Sequence, residues 1–328
     1  MTAMPMTAMT KTLTAIALVL AAGAAQAETL RFGYAQNAAP TVEAMQKFGE
    51  LVAEKSGGDV TVQFFPDSQL GGEREMVEML QGGVLDITKV SAGLMESFAP
   101  VYGVFALPYL FDDEAHYYTV MDDPEVMQPI YEATRAMGVV GLTYYNSGAR
   151  NFYTVSKPVE SVADLAGLKI RVLQSPTAIR MTELLGATPV AMGQAEVYTS
   201  LQQGVLDGAE NNEFALTIAR HAEVAKHYTL DGHTRIPDVL LIAASTLDRL
   251  TEEQRTAVTE AATESTEFHK SLWTAAVDEA SKQAQEEFGV TVHEVDVAPF
   301  REAVAPIYDE LDAEKQAVVS AIREDGAK

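Results

Sequence analysis

The sequence predicts an α/β protein built as two lobes, and three observations predict it. First, one stretch occurs twice: residues 75–87 read EMVEMLQGGVLDI and residues 196–208 read EVYTSLQQGVLDG. At a constant offset of 121, Glu75, Leu80, Gln81, Gly83, Val84, Leu85 and Asp86 recur as Glu196, Leu201, Gln202, Gly204, Val205, Leu206 and Asp207. Second, the pattern around each copy alternates strand and helix, the mark of an α/β domain with a mainly parallel sheet. Third, Thr251–Phe288 is an uninterrupted helical pattern that would run roughly 55 Å, long enough to bridge two lobes.

Residues 1–27 read as a signal peptide. Lys11 is their only charge, Leu13–Ala22 is apolar, and Ala25-Gln26-Ala27 has the small-x-small form of a cleavage site. The run is too short to span a bilayer, so the mature chain is expected to be exported and to begin at Glu28. A strand at Thr29–Tyr34 opens it, followed by a helix at Thr41–Lys55 and the alternating Val60–Phe64 strand. The first repeat copy supplies a helix to Gln81 and a buried strand at Val84–Val90. Pro108 argues against one long helix in Val101–Phe111. A helix is predicted from about Pro124 to Met137 and a strand over Val139–Tyr145.

Asn146-Ser147-Gly148-Ala149-Arg150 is a turn-rich crossing point into the second lobe. There the pattern gives a strand at Leu168–Leu173, a helix at Pro176–Leu185, a strand at Thr188–Ala191, then the repeated helix and the Val205–Ala209 strand. Val239–Ala244 reads as a strand returning to the first lobe. Thr251 caps the long helix and Gly289 can stop it. The expected division is residues 28–148 with 238–277, and 149–237 with 278–328.

Composition excludes several functions. Removing Lys11 leaves 22 basic against 47 acidic residues, a mature charge of −25. Such a chain repels nucleic acid and anionic lipid, and any anion it binds needs a local positive pocket. Absence of cysteine removes disulfides, thiolate metal sites and a cysteine nucleophile. No nucleophile elbow, zinc helix, phosphate loop, dinucleotide fingerprint or EF-hand is present, so neither cofactor nor metal is expected.

Arg171 is the sharpest candidate. Leu168, Ile170 and Val172 alternate toward one face and Arg171 points the other way, near the strand end where α/β proteins bind ligands. Its planar fork matches a carboxylate; a solvent-facing arginine on a sheet edge would share the pattern. Arg150 lies in the crossing turn, where a loop charge is the alternative. Glu210-Asn211-Asn212 ends the second copy, and its counterpart around Ser91 ends the first; these tips would face a ligand from opposite sides unless Asn211 is simply a turn residue. Glu73 follows Gly71-Gly72 at a helix start, where it serves either the helix dipole or ligand hydroxyls.

Together these segments resemble the extracytoplasmic solute-binding subunit, DctP type, of TRAP transporters. The likeness rests on Leu70–Glu75, Leu107–Phe111, Asp164–Val172, Gly186–Pro189, Glu196–Gly208 and Glu210–Asn212, spread over nearly the whole mature chain. It implies a periplasmic-binding-protein fold whose lobes close by a hinge, with a long helix crossing both. It also implies an organic-acid ligand held by Arg171, with Arg150, Asn211 and Gln174 as further contacts. Gln194 stands where several relatives carry an aromatic, so no stacking is expected there. The Glu73–Met76, Gln174–Thr177, Glu210–Asn212 and Tyr228–Pro237 segments look most like members that bind sugar acids such as hexuronates. Glu73, Asn211, Gln174 and His233 would serve the hydroxyls, with a C4-dicarboxylate as the alternative ligand. The resemblance implies a periplasmic, non-enzymatic monomer serving a TRAP membrane permease. The rivals are an exported lyase using Glu73 or His233 as base, and a sensory module.

Overall fold

The structure is a computed structural model that describes residues 27–35 and 37–325. The expected signal peptide, apart from Ala27, lies outside the described residues. Among the described residues eleven strands form two sheets: β1 (Glu28–Tyr34), β2 (Val60–Phe65), β3 (Ile87–Ser91), β4 (Val139–Tyr145), β5 (Arg150–Thr154), β6 (Lys169–Val172), β7 (Thr188–Ala191), β8 (Gly208–Asn211), β9 (His227–Thr234), β10 (Asp238–Ala243) and β11 (Thr291–Glu294). The first sheet runs β2-β1-β3-β10-β4 and the second β11-β9-β5-β8-β6-β7. β2-β1-β3 and β7-β6-β8 are parallel trios. Each trio is extended by an antiparallel strand, β10 beside β3 and β5 beside β8. The chain is a two-lobed α/β protein, each lobe carrying the same trio.

The repeated Gly-Val-Leu-Asp segment does the same work in both lobes. Gly83 (φ 67°) and Gly204 (φ 70°) adopt the left-handed turn that ends a helix. The next amides return to the helix, Val84 N to Met79 O and Val205 N to Ser200 O, both at 2.9 Å. Leu85 and Leu206 then enter the cores, each 1% exposed. Asp86 Oδ2 accepts Arg31 N of β1, and Asp207 Oδ2 accepts Lys169 N of β6, each at 2.8 Å. The aspartate thus clamps the neighbouring parallel strand, at the middle of β1 and at the start of β6, and this geometry accounts for the repeat.

The turn also corrects the predicted strand starts. Val84 is 58% exposed and Val205 50%, because the residue leaving the glycine turn faces outward. The strands begin at Ile87 and Gly208. Similarly, the helix predicted over 124–137 stops at Glu132 and gives way to a 3₁₀ turn, Arg135–Met137. Pro129 within it already lacks a ladder donor.

The long helix spans Glu252–Glu286 and is closed at its start by a reciprocal cap between Thr251 and Gln254. It packs on the Ala39–Lys55 helix and β4 of the first lobe, and on the Glu213–Thr217 helix of the second. One core lies between the first sheet and this helix, around Phe32, Phe48, Leu240 and Val258. Another lies in the second lobe around Tyr153, Leu201, Leu216 and Ala284. A third draws on both halves, joining Phe105, Tyr117, Ile170 and Met181. Beyond the long helix the contacts divide. Ala298–Val304 packs on the Pro176–Leu184 helix and β9, whereas Ala313–Asp325 packs on the first-half segments Pro100–Ala106, Glu114–Asp122 and Pro124–Glu132. No helix among the described residues is long and apolar enough to cross a membrane.

Candidate functional site

The chain just beyond β3 meets the chain just beyond β6, where Ser97 Oγ donates to the Gln174 carbonyl at 2.8 Å, and buried charged side chains lie on the strands that lead there. Arg171 on β6 is 1% exposed. Its Nε and Nη2 donate to the carbonyl of Met192, at 3.0 and 2.7 Å. Its Nη1 finds no acceptor among the described residues. A guanidinium carries five N–H donors, so three remain beyond the two on Met192. Burial first, and then the charge of Arg150, lower its pKa against the opposing pull of Glu210.

Arg150 on β5 is arranged differently. Nε and Nη2 hold both oxygens of Glu210, at 2.6 and 3.0 Å, and Nη2 also reaches the Glu210 carbonyl at 2.8 Å. Nη1 donates to Asn211 Oδ1 at 2.9 Å. Glu210 also meets His233 Nε2 at 3.3 Å, and His233 Nδ1 meets Asp231 Oδ2 at 2.7 Å. Burial works against ionising Glu210, but Arg150 and His233 outweigh it and bring the carboxyl down to about 2. Burial likewise opposes the His233 cation, yet Asp231 and Glu210 raise it to about 9.

The structure holds His233 at both ring nitrogens. It is 0% exposed, with both ring nitrogens engaged by carboxylates, so it braces the floor and has no free atom to offer a hydroxyl. Asn211 keeps its amide nearly free: Nδ2 has one long contact, 3.5 Å to Gln194 Oε1. The Gln174 carbonyl accepts from Ser97 Oγ at 2.8 Å.

From the first lobe come Glu73 and Ser91. Glu73 Oε2 accepts the Ser91 amide at 3.4 Å and Oε1 lies 3.5 Å from Lys89 Nζ. Lys89 Nζ also meets Asp238 Oδ2 at 2.8 Å, with Lys89 3% and Asp238 8% exposed. Burial, and then the nearby Asp238, raise the Glu73 pKa, though Lys89 opposes them. The Glu73 charge favours the Arg171 cation weakly, after burial, Glu210, Arg150 and Tyr153. Lys89 and Asp238 were missed in the sequence, because Lys89 sits inside an apolar strand and its partner is 149 residues away.

All but one of these bases face a carboxylate. Lys89 faces Asp238 and Glu73, Arg150 faces Glu210, and His233 lies between Asp231 and Glu210. Arg171 alone of these bases has no protein carboxylate as a hydrogen-bond partner. Among the described residues no group of three His, Cys, Asp or Glu is placed to hold a metal.

Residues 32–315 match the profile of DctP, the bacterial extracellular solute-binding proteins of family 7. An uncharacterised protein of Salmonella typhimurium, YiiZ, is 58% identical over 282 residues, 86% of each chain. Two crystal structures of TRAP periplasmic solute-binding proteins share the fold. The one from Anaerococcus prevotii, with bound α/β-D-glucuronate, has a TM-score of 0.88 at 40% identity, covering 92% of this chain and 98% of that one. The one from Bradyrhizobium sp. BTAi1, in complex with α/β-D-galacturonate, has a TM-score of 0.88 at 37% identity, covering 90% and 100%.

Proposed function

The chain belongs to the family 7 bacterial extracellular solute-binding proteins, DctP, and on that premise we propose that it captures a hexuronate such as glucuronate or galacturonate for a TRAP membrane permease. It works in the periplasm as a single chain and releases its ligand chemically unchanged. The lobes, residues 28–148 with 238–277 and 149–237 with most of the remainder, close about the crossings at 146–149 and 235–237 and the middle of the long helix.

One observation carries this reading. Arg171 is a buried guanidinium with an unpartnered Nη1 and a donor to spare on Nη2, in a cleft whose other bases already have carboxylates. A ligand carboxylate completes it bidentately. Arg150 lends its field and one remaining Nη1 hydrogen. Asn211, Gln174, Ser91 and Glu73 face the hydroxyls. Uronate in two relatives of this fold supports the ligand class. Glu73 disfavours a second carboxylate at its end of the cleft.

Calorimetry with D-glucuronate, D-galacturonate and succinate tests the assignment. Micromolar or tighter binding of a uronate, with ligand recovered intact, is expected. Binding of succinate and neither uronate overturns it.

A further inference from the structure

The 121-residue repeat extends past the helix turn into the cleft, and there it reverses charge. At the same offset Lys89 on β3 corresponds to Glu210 on β8. Each pairs with the antiparallel strand that extends its trio. Lys89 holds Asp238 at 2.8 Å, and Asp238 stands opposite Ser91 in the ladder. Glu210 holds Arg150 at 2.6 Å, and Arg150 lies one step beyond the Asn151–Asn211 pair, opposite the Ser91 counterpart Asn212. The two lobes thus present the same buried ion pair with the signs exchanged.

The second-lobe pair is nearly saturated, with four of the five Arg150 donors engaged. The first-lobe pair is not. Lys89 has three donors: one is spent on Asp238, and the contact to Glu73 is long at 3.5 Å. Glu73 accepts only at 3.4 and 3.5 Å among the described residues. A spare charged donor and a spare charged acceptor therefore stand side by side in the first lobe. Their chemistry suits adjacent hydroxyls, one accepting from the ammonium and one donating to the carboxylate.

We propose that Lys89 and Glu73 form the subsite that reads the hydroxyl-bearing end of the ligand, Asp238 fixing the ammonium in place, and that Glu73 is the element excluding a second carboxylate. This rests on the uronate reading above and specifies its substrate class as a monocarboxylate bearing vicinal hydroxyls at the far end. Lys89 is already compensated by two carboxylates, so a dianion arriving there meets net negative charge. With Glu73 neutral, the same ammonium would accept that carboxylate.

Calorimetry of the full mature chain with D-glucuronate and with the diacid D-glucarate separates the alternatives. The variants are Glu73→Gln and Lys89→Met, with circular dichroism as the fold control. Wild type is expected to prefer glucuronate. Lys89→Met should weaken glucuronate about tenfold or more. Glu73→Gln, which keeps the shape and buries no orphan charge, should weaken glucuronate while strengthening glucarate, narrowing or inverting the preference. An unchanged glucuronate-to-glucarate ratio in Glu73→Gln overturns the subsite while leaving the uronate reading intact, and a folded Lys89→Met with wild-type glucuronate affinity does the same. A wild-type protein that binds neither sugar acid overturns the uronate reading and the subsite with it.

Discussion

Arg150 and Glu210 meet at 2.6 Å inside the second lobe, both nearly sealed from solvent at 4% and 2% exposure. Removing one partner of such a pair leaves an uncompensated buried charge, which is worth more than the pair's own net contribution. Glu210→Gln strands Arg150 and leaves His233 with Asp231 alone. We expect it to lower the unfolding free energy by about 3 kcal/mol in urea titration. Replacing both Arg150 and Glu210 by methionine should recover much of that loss. A Glu210→Gln loss under about 1 kcal/mol would show that the pair is solvated.

Arg171 makes the opposite prediction for the empty protein. Its guanidinium is desolvated with only a carbonyl in return, so it strains the unliganded state. Arg171→Met should leave stability unchanged or raise it, while costing at least about 2 kcal/mol of uronate binding. Arg171→Lys should not rescue affinity fully, because an ammonium lacks the planar fork. Wild-type-like affinity of Arg171→Met in calorimetry removes the anchor from the account.

The acid–base behaviour of the floor sets a pH window. The folded pKa of His233 lies at about 9, above its unfolded value of about 6.5. Its contribution is fully present below about 6.5 and is lost as pH rises through about 9. Glu210, lowered to about 2, contributes above about 4.3 and loses that as pH falls through about 2. His221, lowered to about 4 by burial and then by Arg171, subtracts stability as pH falls from about 6.5 toward 4. Maximum stability is therefore expected near pH 6 to 7. His233→Gln should flatten the alkaline limb between pH 7 and 9. Parallel unfolding curves for variant and wild type over that range would deny His233 the role.

How much of this was legible in the sequence follows from how local each signal is. The repeat, the cap at Thr251 and the strand carrying Arg171 are short-range patterns, and the structure places Arg171 at the cleft end of β6. The clamping role of Asp86 and Asp207 was not legible, because their targets Arg31 and Lys169 lie 55 and 38 residues away. The bracing of His233 was not legible for the same reason. Its alternation with neighbours gives no hint that Glu210 and Asp231 hold both ring nitrogens. Lys89 carries no local signal in its apolar strand, because Asp238 reaches it only through the pairing of β10 with β3.

Gly208 is a site where the two copies must differ. At the shared offset it answers to Ile87, yet a Cβ here would sit 2.5 Å from the Tyr153 carbonyl oxygen and 2.9 Å from Thr154 Cγ2. The obstacle is backbone, so it cannot swing aside. Gly208→Ala should push β5 from β8, displace Arg150 relative to Glu210, and cost about 1–3 kcal/mol. Gly204→Ala, with open space at Cβ but φ at 70°, should cost about 1–2 kcal/mol from backbone strain alone. A Gly208→Ala protein as stable as wild type would mean that β5 and β8 are not held this close.

Glu96 ties the lobes through the start of a second-lobe helix. It follows the Ala92–Met95 turn of helix in the first lobe and is 6% exposed. Its carboxylate accepts Ser175 Oγ, Thr177 N at 3.0 Å and Thr177 Oγ1 at 2.7 Å, at the start of the second-lobe helix Pro176–Leu184. Lys315 adds a contact at 3.3 Å. An anion at a helix N-terminus is favoured by the free amides there, so the first lobe supplies the cap for a second-lobe helix. If the contact belongs to the closed state only, Glu96→Gln lowers the closed population without touching the ligand, and the apparent dissociation constant rises in proportion. We expect about tenfold weaker uronate binding, expressed mainly as faster release. Stopped-flow dissociation with D-glucuronate reads this directly. An unchanged release rate in a folded Glu96→Gln protein would mean that the cap persists in both states and merely joins the lobes.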